Sequence, residues 1–257
     1  MIEIDKTAGV TTLTLNRPQQ RNALNADIVT GLAQAIPEAE ADGTCRCLVI
    51  RGAGGNFCAG RDLGKPPERG LDQALAADEV WTGVNRSLHL MNKPTVAVVE
   101  GYAVAGGFTL AMSCDFVLAE AGAQFGALEM RRGFPAAINT PVLSQLVGPR
   151  LALEFLLFGD LIPARRLYEA GLINRLAEDG PELARIADEF VGGLVALDPD
   201  AVRMTKEAHR ASRNMPLANA LDMGKWGNAL IAASGRMAEA MRGFAESRDG
   251  GGEGSGE

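Results

Sequence analysis

The period of the apolar positions changes several times along the chain, and each change marks an element. Residues 2–15 read as two short strands about Lys6-Thr7-Ala8-Gly9, the second of which, Val10-Thr11-Thr12-Leu13-Thr14-Leu15, alternates β-branched and apolar positions. Asn16-Arg17-Pro18 ends that run, and Gln19 to Leu24 reads as a polar loop. Asn25 suits an N-cap, with Ile28, Leu32 and Ile36 following on one helical face, and Pro37 predicts a kink or an early end there. Cys47-Leu48-Val49-Ile50 reads as a short apolar strand, followed by a glycine-rich loop from Gly52 to Leu63. Residues 64–70 read as irregular, and Leu71, Leu75, Trp81, Val84, Leu88 and Met91 mark a helix.

Thr95-Val96-Ala97-Val98-Val99 is a further β-rich run, and Asn139 to Val147 and Leu151 to Phe158 read as helices. Pro163 suits the first position of a helix and Gly171 the residue just past its end; Asp198-Pro199 opens another by the same logic. Beyond about residue 200 only helices are expected, and Asp249 to Glu257, built of Asp, Gly, Glu and Ser, reads as a disordered tail. Strands interleaved with helices over most of the chain, without a Pro/Ser-rich linker, predict an α/β fold with mainly parallel pairing.

Composition narrows the functional classes. A net charge of −7 argues against a nucleic-acid partner, which would call for a basic face, and leaves an anionic small ligand possible only at a local basic patch. No apolar run is long enough to span a bilayer, and the start Met1-Ile2-Glu3-Ile4-Asp5 is unlike a signal peptide. Cys45, Cys47, Cys58 and Cys114 lack metal-finger spacing, and with two histidines in the chain no zinc site is expected. Reduced, buried thiols in a cytoplasmic protein fit best. The loop from Gly52 to Leu63 has neither the Gly-x-Gly-x-x-Gly spacing of a dinucleotide site nor the Lys-Ser/Thr ending of a phosphate loop.

The stretch from Glu100 to Pro135 carries the candidate chemistry. A strand feeding Ala105-Gly106-Gly107 and then a helix leaves backbone N–H groups without intrahelical partners, at the positive end of a helix dipole. Such donors can hold an anion or an oxygen becoming one. Glu129 follows among small and apolar neighbours and supplies one acid or base.

Five segments in order resemble the enoyl-CoA hydratase/isomerase, or crotonase, family. They are Asn16 to Asn25, Phe57 to Leu63, Lys93 to Ala97, Gly101-Tyr102-Ala103 through Gly106-Gly107 to Cys114-Asp115, and Ala164 to Asn174. The resemblance implies a crotonase-like spiral of ββα repeats over residues 1–195 with the acyl-CoA site. Residues 196–248 would form a helical C-terminal region that makes homotrimers, or hexamers as dimers of trimers, ahead of the tail at 249–257. The ligand would be an acyl-CoA thioester, with CoA part of the substrate and no other cofactor. Its carbonyl oxygen would lie between the backbone N–H groups of Arg61 and Gly106. CoA would lie along Arg21, Ala23 and Leu24 and along Ala59, Gly60, Asp62 and Leu63, and Phe244 and Arg248 would reach it from the C-terminal region.

Family hydratases usually carry two carboxylates. Glu129 matches one of them, whereas Thr109 stands where the other glutamate is expected. Threonine cannot shuttle a proton near neutral pH, although its hydroxyl can orient a water. Hydration or dehydration of an enoyl-CoA through an enolate is the leading expectation, with Glu129 as the single acid/base. The alternatives are Δ3-Δ2 double-bond isomerisation, C–C cleavage of a hydroxyacyl-CoA, and an acyl-CoA-binding protein without chemistry. Arg131 and Arg132 could recognise a carboxylate on the acyl group, against the plainer reading of surface ion pairs. His89 and His209 read as packing or surface residues.

Overall fold

A computed structural model describes residues 1–62 and 70–235. Leu63, Phe244, Arg248 and the tail at 249–257 lie outside the described residues. The chain divides into two compact units, Met1–Val202 and Arg203–Glu257.

The first unit begins with β1 (Ile2–Thr7) and β2 (Val10–Leu15), the expected hairpin. Helix α1 (Ala26–Ala41) follows, and Asn25 caps it, its side chain accepting from the Ile28 N–H at 3.0 Å. Of the kink or early end expected at Pro37, the early end does not occur, because α1 runs on to Ala41. Its ring faces solvent while Ile36 and Ala39 on either side are buried, so burial of the apolar face outweighs the one lost backbone bond.

The remaining elements of this unit are β3 (Cys47–Gly52), α2 (Leu71–Leu90), β4 (Thr95–Val99), β5 (Tyr102–Val104), α3 (Gly106–Met112), β6 (Phe116–Glu120) and β7 (Gln124–Gly126). They continue with α4 (Asn139–Leu146), α5 (Pro149–Phe158), β8 (Ile162–Pro163), α6 (Ala164–Glu169), β9 (Arg175–Ala177) and α7 (Gly180–Val195). Helix α8 (Pro199–Ser212) runs across the division between the units, and α9 (Leu217–Ala233) lies in the second. Asp198 starts α8 as expected, its carboxylate accepting from the Ala201 N–H at 2.8 Å. Pro163 sits one residue before α6 rather than inside it, and Gly171 takes the positive φ of +77° that a helix exit needs. In α2, Trp81, Val84 and Leu88 are buried, whereas Leu71 and Leu75 at its start are exposed.

A six-stranded sheet runs β1-β2-β3-β4-β6-β9, antiparallel at its first pair and parallel thereafter. The unbroken apolar runs of β3 and β4 arise because both sheet faces are covered. Leu48, Ile50, Ala97, Val99, Val117 and Ala119 point into the larger core. Their alternates Cys47, Val49, Val96, Val98 and Leu118 pack with Leu183 and Val191 of α7 on the other face. A smaller sheet, β5-β7-β8, carries the turn that leads into α3.

The four cysteines are buried thiols in no disulfide, and burial pushes the Cys58 thiol up to about 12. Among the described residues no group of His, Cys, Asp and Glu could hold a metal ion, and no helix is long and apolar enough to cross a membrane.

Candidate active site

Three backbone segments, distant in sequence, form one ladder. The Cys58 N–H donates to the Tyr102 carbonyl (2.7 Å) and the Val104 N–H to the Cys58 carbonyl (3.0 Å), which lays the 57–61 loop beside β5. On its other side Ala59 N–H donates to the Arg21 carbonyl (2.9 Å), Leu24 N–H to the Gly60 carbonyl (2.8 Å) and Asp62 N–H to the Leu24 carbonyl (3.0 Å). Buried Asn22 pins the outer segment: its amide donates to the Ala53 and Asn56 carbonyls (2.9 and 2.6 Å) and its oxygen accepts from the Arg17 N–H (2.9 Å).

The ladder brings two peptide N–H groups close together. In a trans peptide the C=O and the following N–H point in opposite directions. Because the Gly60 carbonyl faces Leu24, the Arg61 N–H turns away from Leu24, toward the turn at Val104–Gly106. Ala105 has φ +50° and ψ −119°, a conformation rare outside glycine and costing about 1–3 kcal/mol. It turns the Ala105 carbonyl toward Thr109 and Asn139 and so directs the Gly106 N–H the opposite way. A Cβ built on Gly106 would lie 3.8 Å from the Arg61 nitrogen, and one built on Gly60 would lie 3.3 Å from the Gly106 nitrogen, so the two turns are in near contact. Among the described residues neither the Arg61 nor the Gly106 N–H meets an acceptor. Leu24 and Trp81 wall this gap, at 2.9 and 3.6 Å from the same Gly106 position. Helix α3 spans only seven residues, so the individual N–H groups matter here more than the helix dipole invoked from the sequence.

Glycine is obligatory on both turns. Gly60 has φ +82°, and a side chain there would meet the Ala105 Cβ and the Val104 carbonyl at 2.8 Å. A Cβ on Gly107 would fall 2.3 Å from the Cys58 carbonyl, so this glycine lets α3 approach the ladder.

Glu129 stands one side chain away from this turn. The Asn139 amide nitrogen donates to Glu129 Oε1 at 2.9 Å and to the Ala105 carbonyl at 3.2 Å. Thr109, 1% exposed, directs its hydroxyl at Asn139 Oδ1 at 2.8 Å, with the Ala105 carbonyl more distant at 3.3 Å. Glu129 Oε2 is buried and has no hydrogen-bond partner among the described residues. Burial pushes the Glu129 carboxyl above its ordinary range, opposed by its own backbone N–H, the Asn139 amide and the positive charge of Arg132. The arrangement can hold an oxygen that gains negative charge and can exchange a proton with a group beside it.

A family description, enoyl-CoA hydratase/isomerase, matches residues 5–251. The chain belongs to this family. Short-chain-enoyl-CoA hydratase of Clostridium acetobutylicum is 34% identical over 207 residues, covering 80% of this chain and 79% of that protein. The 1,2-epoxyphenylacetyl-CoA isomerase of Escherichia coli is 31% identical over 220 residues, covering 84% of each. The crystal structure of an enoyl-CoA hydratase from Mycobacterium smegmatis superposes with a TM-score of 0.86 at 28% identity, covering 94% of this chain and 96% of that one. The crotonase fold expected from the sequence is therefore the fold of this family member.

The sequence-derived site residues fall in two groups. Arg61 and Gly106 lie on the two neighbouring turns with Gly60 and Leu24, Thr109 and Glu129 meet at Asn139 beside the Ala105 carbonyl, and Ala23 and Ala59 lie along the ladder. Arg21 is exposed, its guanidinium 5.0 Å from the centre of the Tyr102 ring. The Asp62 carboxylate is held by Arg17, which also donates to the Ala23 carbonyl. The Arg61 side chain turns outward to Asp78, leaving its backbone to face the gap. Arg131 is engaged by Asp160 and the Phe158 carbonyl, in keeping with the plainer reading of that residue. Asn139, Asn22 and Arg17 were missed from sequence. From sequence Asn139 reads only as the first residue of a helix, and nothing local hints at partners ten, thirty and more positions away.

Proposed function

We propose that this family member hydrates an enoyl-CoA, or dehydrates the corresponding 3-hydroxyacyl-CoA, with Glu129 as the acid/base and the Arg61 and Gly106 N–H groups holding the thioester oxygen. Glu129 carries the reading: one carboxylate oxygen is fixed by Asn139, which also holds the Ala105 carbonyl of the Gly106 peptide, and the other is buried and unpartnered among the described residues. In the forward direction Glu129 Oε2 takes a proton from water, and the hydroxide adds to the β carbon. The displaced electron pair moves to the thioester oxygen, giving an enolate. The enolate collapses as the α carbon takes the proton back from Glu129. Two prealigned N–H groups about 3 Å from that oxygen would stabilise the charge without reorganising. CoA is part of the substrate, and no separate cofactor enters the reading. Ala23, Leu24, Ala59, Gly60 and Asp62 border the site where CoA would lie, with exposed Arg21 as a cation for its phosphates.

One observation favours a second reading, Δ3-Δ2 isomerisation. The Thr109 hydroxyl is engaged by Asn139, and a proton moved between two carbons of one acyl chain needs only a single carboxylate. The two readings separate in one assay. Hydration removes the enone absorbance of crotonyl-CoA, whereas isomerisation of a 3-enoyl-CoA creates it. The first signal supports hydratase and the second isomerase. An enzyme that binds CoA yet turns over neither these nor a 3-hydroxyacyl-CoA defeats the catalytic reading.

Self-association into trimers, or dimers of trimers, belongs to the same proposal. In the single chain Leu153, Leu157 and Phe158 of α5 are each at least 54% exposed, and on α9 Leu217, Leu221 and Trp226 are each at least 64% exposed, apolar side chains suited to burial against other copies. Light scattering is expected to give a mass three or six times that of the chain, and a monomer in dilute buffer would count against it.

A further inference from the structure

We propose that Asn139 is the positioning residue that sets the Glu129 carboxylate and the Gly106 N–H relative to each other, and that Thr109 locks its amide in the orientation this requires. The inference rests on the catalytic reading of Glu129 and adds to it which groups hold the base and which oxygen is left to react.

The geometry defines the amide without ambiguity. Two acceptors, Glu129 Oε1 and the Ala105 carbonyl, lie on one side of the Asn139 side chain, and one donor, the Thr109 hydroxyl, lies on the other. The nitrogen has two protons and the oxygen accepts, so only one of the two amide orientations satisfies all three neighbours. Asn139 is 1% exposed, so no water competes for these positions from bulk solvent. The Ala105 carbonyl belongs to the same peptide unit as the Gly106 N–H. One NH₂ group therefore grips the base with one proton and, with the other, the peptide that presents a candidate oxyanion donor. Donation to that carbonyl also polarises its peptide and strengthens the N–H at the opposite end. With Oε1 held, Oε2 is the oxygen left for proton transfer. Threonine at position 109 thus acts through Asn139, whose amide has the neighbours it needs only while a hydroxyl stands there.

Among the described residues the remaining charges around Glu129 do not duplicate this grip. On its own turn Arg131 is engaged by Asp160, and Arg132 is the described cation that acts on the carboxylate. Helices α3 and α4 carry no titratable side chain, and on α5 Glu154 is paired to Arg166, with Arg150 its other charged residue.

The test compares Thr109→Val, Thr109→Ser and Asn139→Leu with wild type, and Glu129→Gln as the reference for loss of the base. Two readouts are taken: kcat and KM on crotonyl-CoA, or on the 3-enoyl-CoA if that is the substrate, and direct NMR titration of the Glu129 carboxyl in the free enzyme. Thr109→Ser, which keeps the hydroxyl, is expected to stay within about threefold of wild type, while Thr109→Val loses about tenfold in kcat. Asn139→Leu is expected to lose about 100-fold in kcat with KM within about threefold, as a displaced base would. An N–H donated to a carboxylate favours its ionised form, so removing it must move the Glu129 titration, and the acid limb of the pH–rate profile, to higher pH.

Equal losses in Thr109→Val and Thr109→Ser, or an unmoved Glu129 titration in Asn139→Leu, would overturn the inference. If Asn139→Leu does not fold, the Val and Ser pair decides with the same titration. Should Glu129→Gln abolish turnover while Asn139→Leu stays within threefold of wild type, the inference alone falls. Full activity in Glu129→Gln brings down the catalytic reading itself, and the inference with it.

Discussion

Replacing Glu129 by Gln is expected to lower kcat by about 10²–10⁴-fold, the range for loss of a general acid/base, with CoA affinity changed by no more than a few-fold. Gln keeps the shape and can still meet Asn139 through its oxygen, but it cannot carry a proton. The same substitution should leave the protein as stable as wild type or more so at neutral pH. Burial raises the folded-state pKa of Glu129 above its value of 4.5 in an unfolded chain. Below the unfolded value the acid is neutral in both states, and burying it costs little. As pH rises through the folded value the full cost of a buried, half-partnered carboxylate appears, and a neutral Gln does not bear it. Melting curves should therefore coincide in acid and separate toward neutral pH, with Gln the higher. A Gln variant that melts well below wild type at neutral pH would show that Glu129 is a structural acid. Wild-type kcat/KM should also fall on acidification around the raised pKa, because the ionised form takes the first proton from water.

Gly106→Ala is expected to cost about 10²–10³-fold in kcat, comparable to losing one oxyanion donor. The added methyl would lie 2.9 Å from the Leu24 Cδ1 and 3.8 Å from the Arg61 nitrogen, beside the gap the thioester oxygen would enter. Leu24 meets it with the end of a flexible side chain and can yield, so the fold should survive with a melting temperature near that of wild type. The loss should appear in kcat more than in KM, because the oxygen gains its charge only in the transition state. Steady-state kinetics on the substrate identified by the absorbance assay checks this. An alanine variant with near-normal kcat would mean that the oxygen sits elsewhere.

The two carboxamides Asn22 and Asn139 show where reading the chain residue by residue stops. Both are fully buried, and both organise the site by accepting from and donating to groups on other segments. Asn22 lay inside a recognisable run, so its segment was located even though its role was not. Asn139 lay in none. At Pro37 the early helix end fails to occur for the opposite reason: the local rule was sound, and the burial of Ile36 and Ala39 overrode it.

Local chemistry alone determined much of this protein. Period-two alternation defined β2, the apolar runs at 47–50 and 95–99 announced strands, and Asn25 and Asp198 marked helix starts through hydrogen bonds that span only three residues. Gly106, Gly107 and the lone Glu129 were legible from a strand running into a glycine pair and from proton chemistry, and Gly60 through the family resemblance. Only the tertiary structure decided how these parts meet. It paired the Arg61 peptide with the Gly106 peptide through a ladder of three distant segments. It also set Glu129 on an amide contributed by α4 and turned Thr109 from a candidate for holding water into the group that orients that amide. Side-chain hydrogen bonds between residues far apart in sequence follow from packing, and packing leaves no periodic trace along the chain.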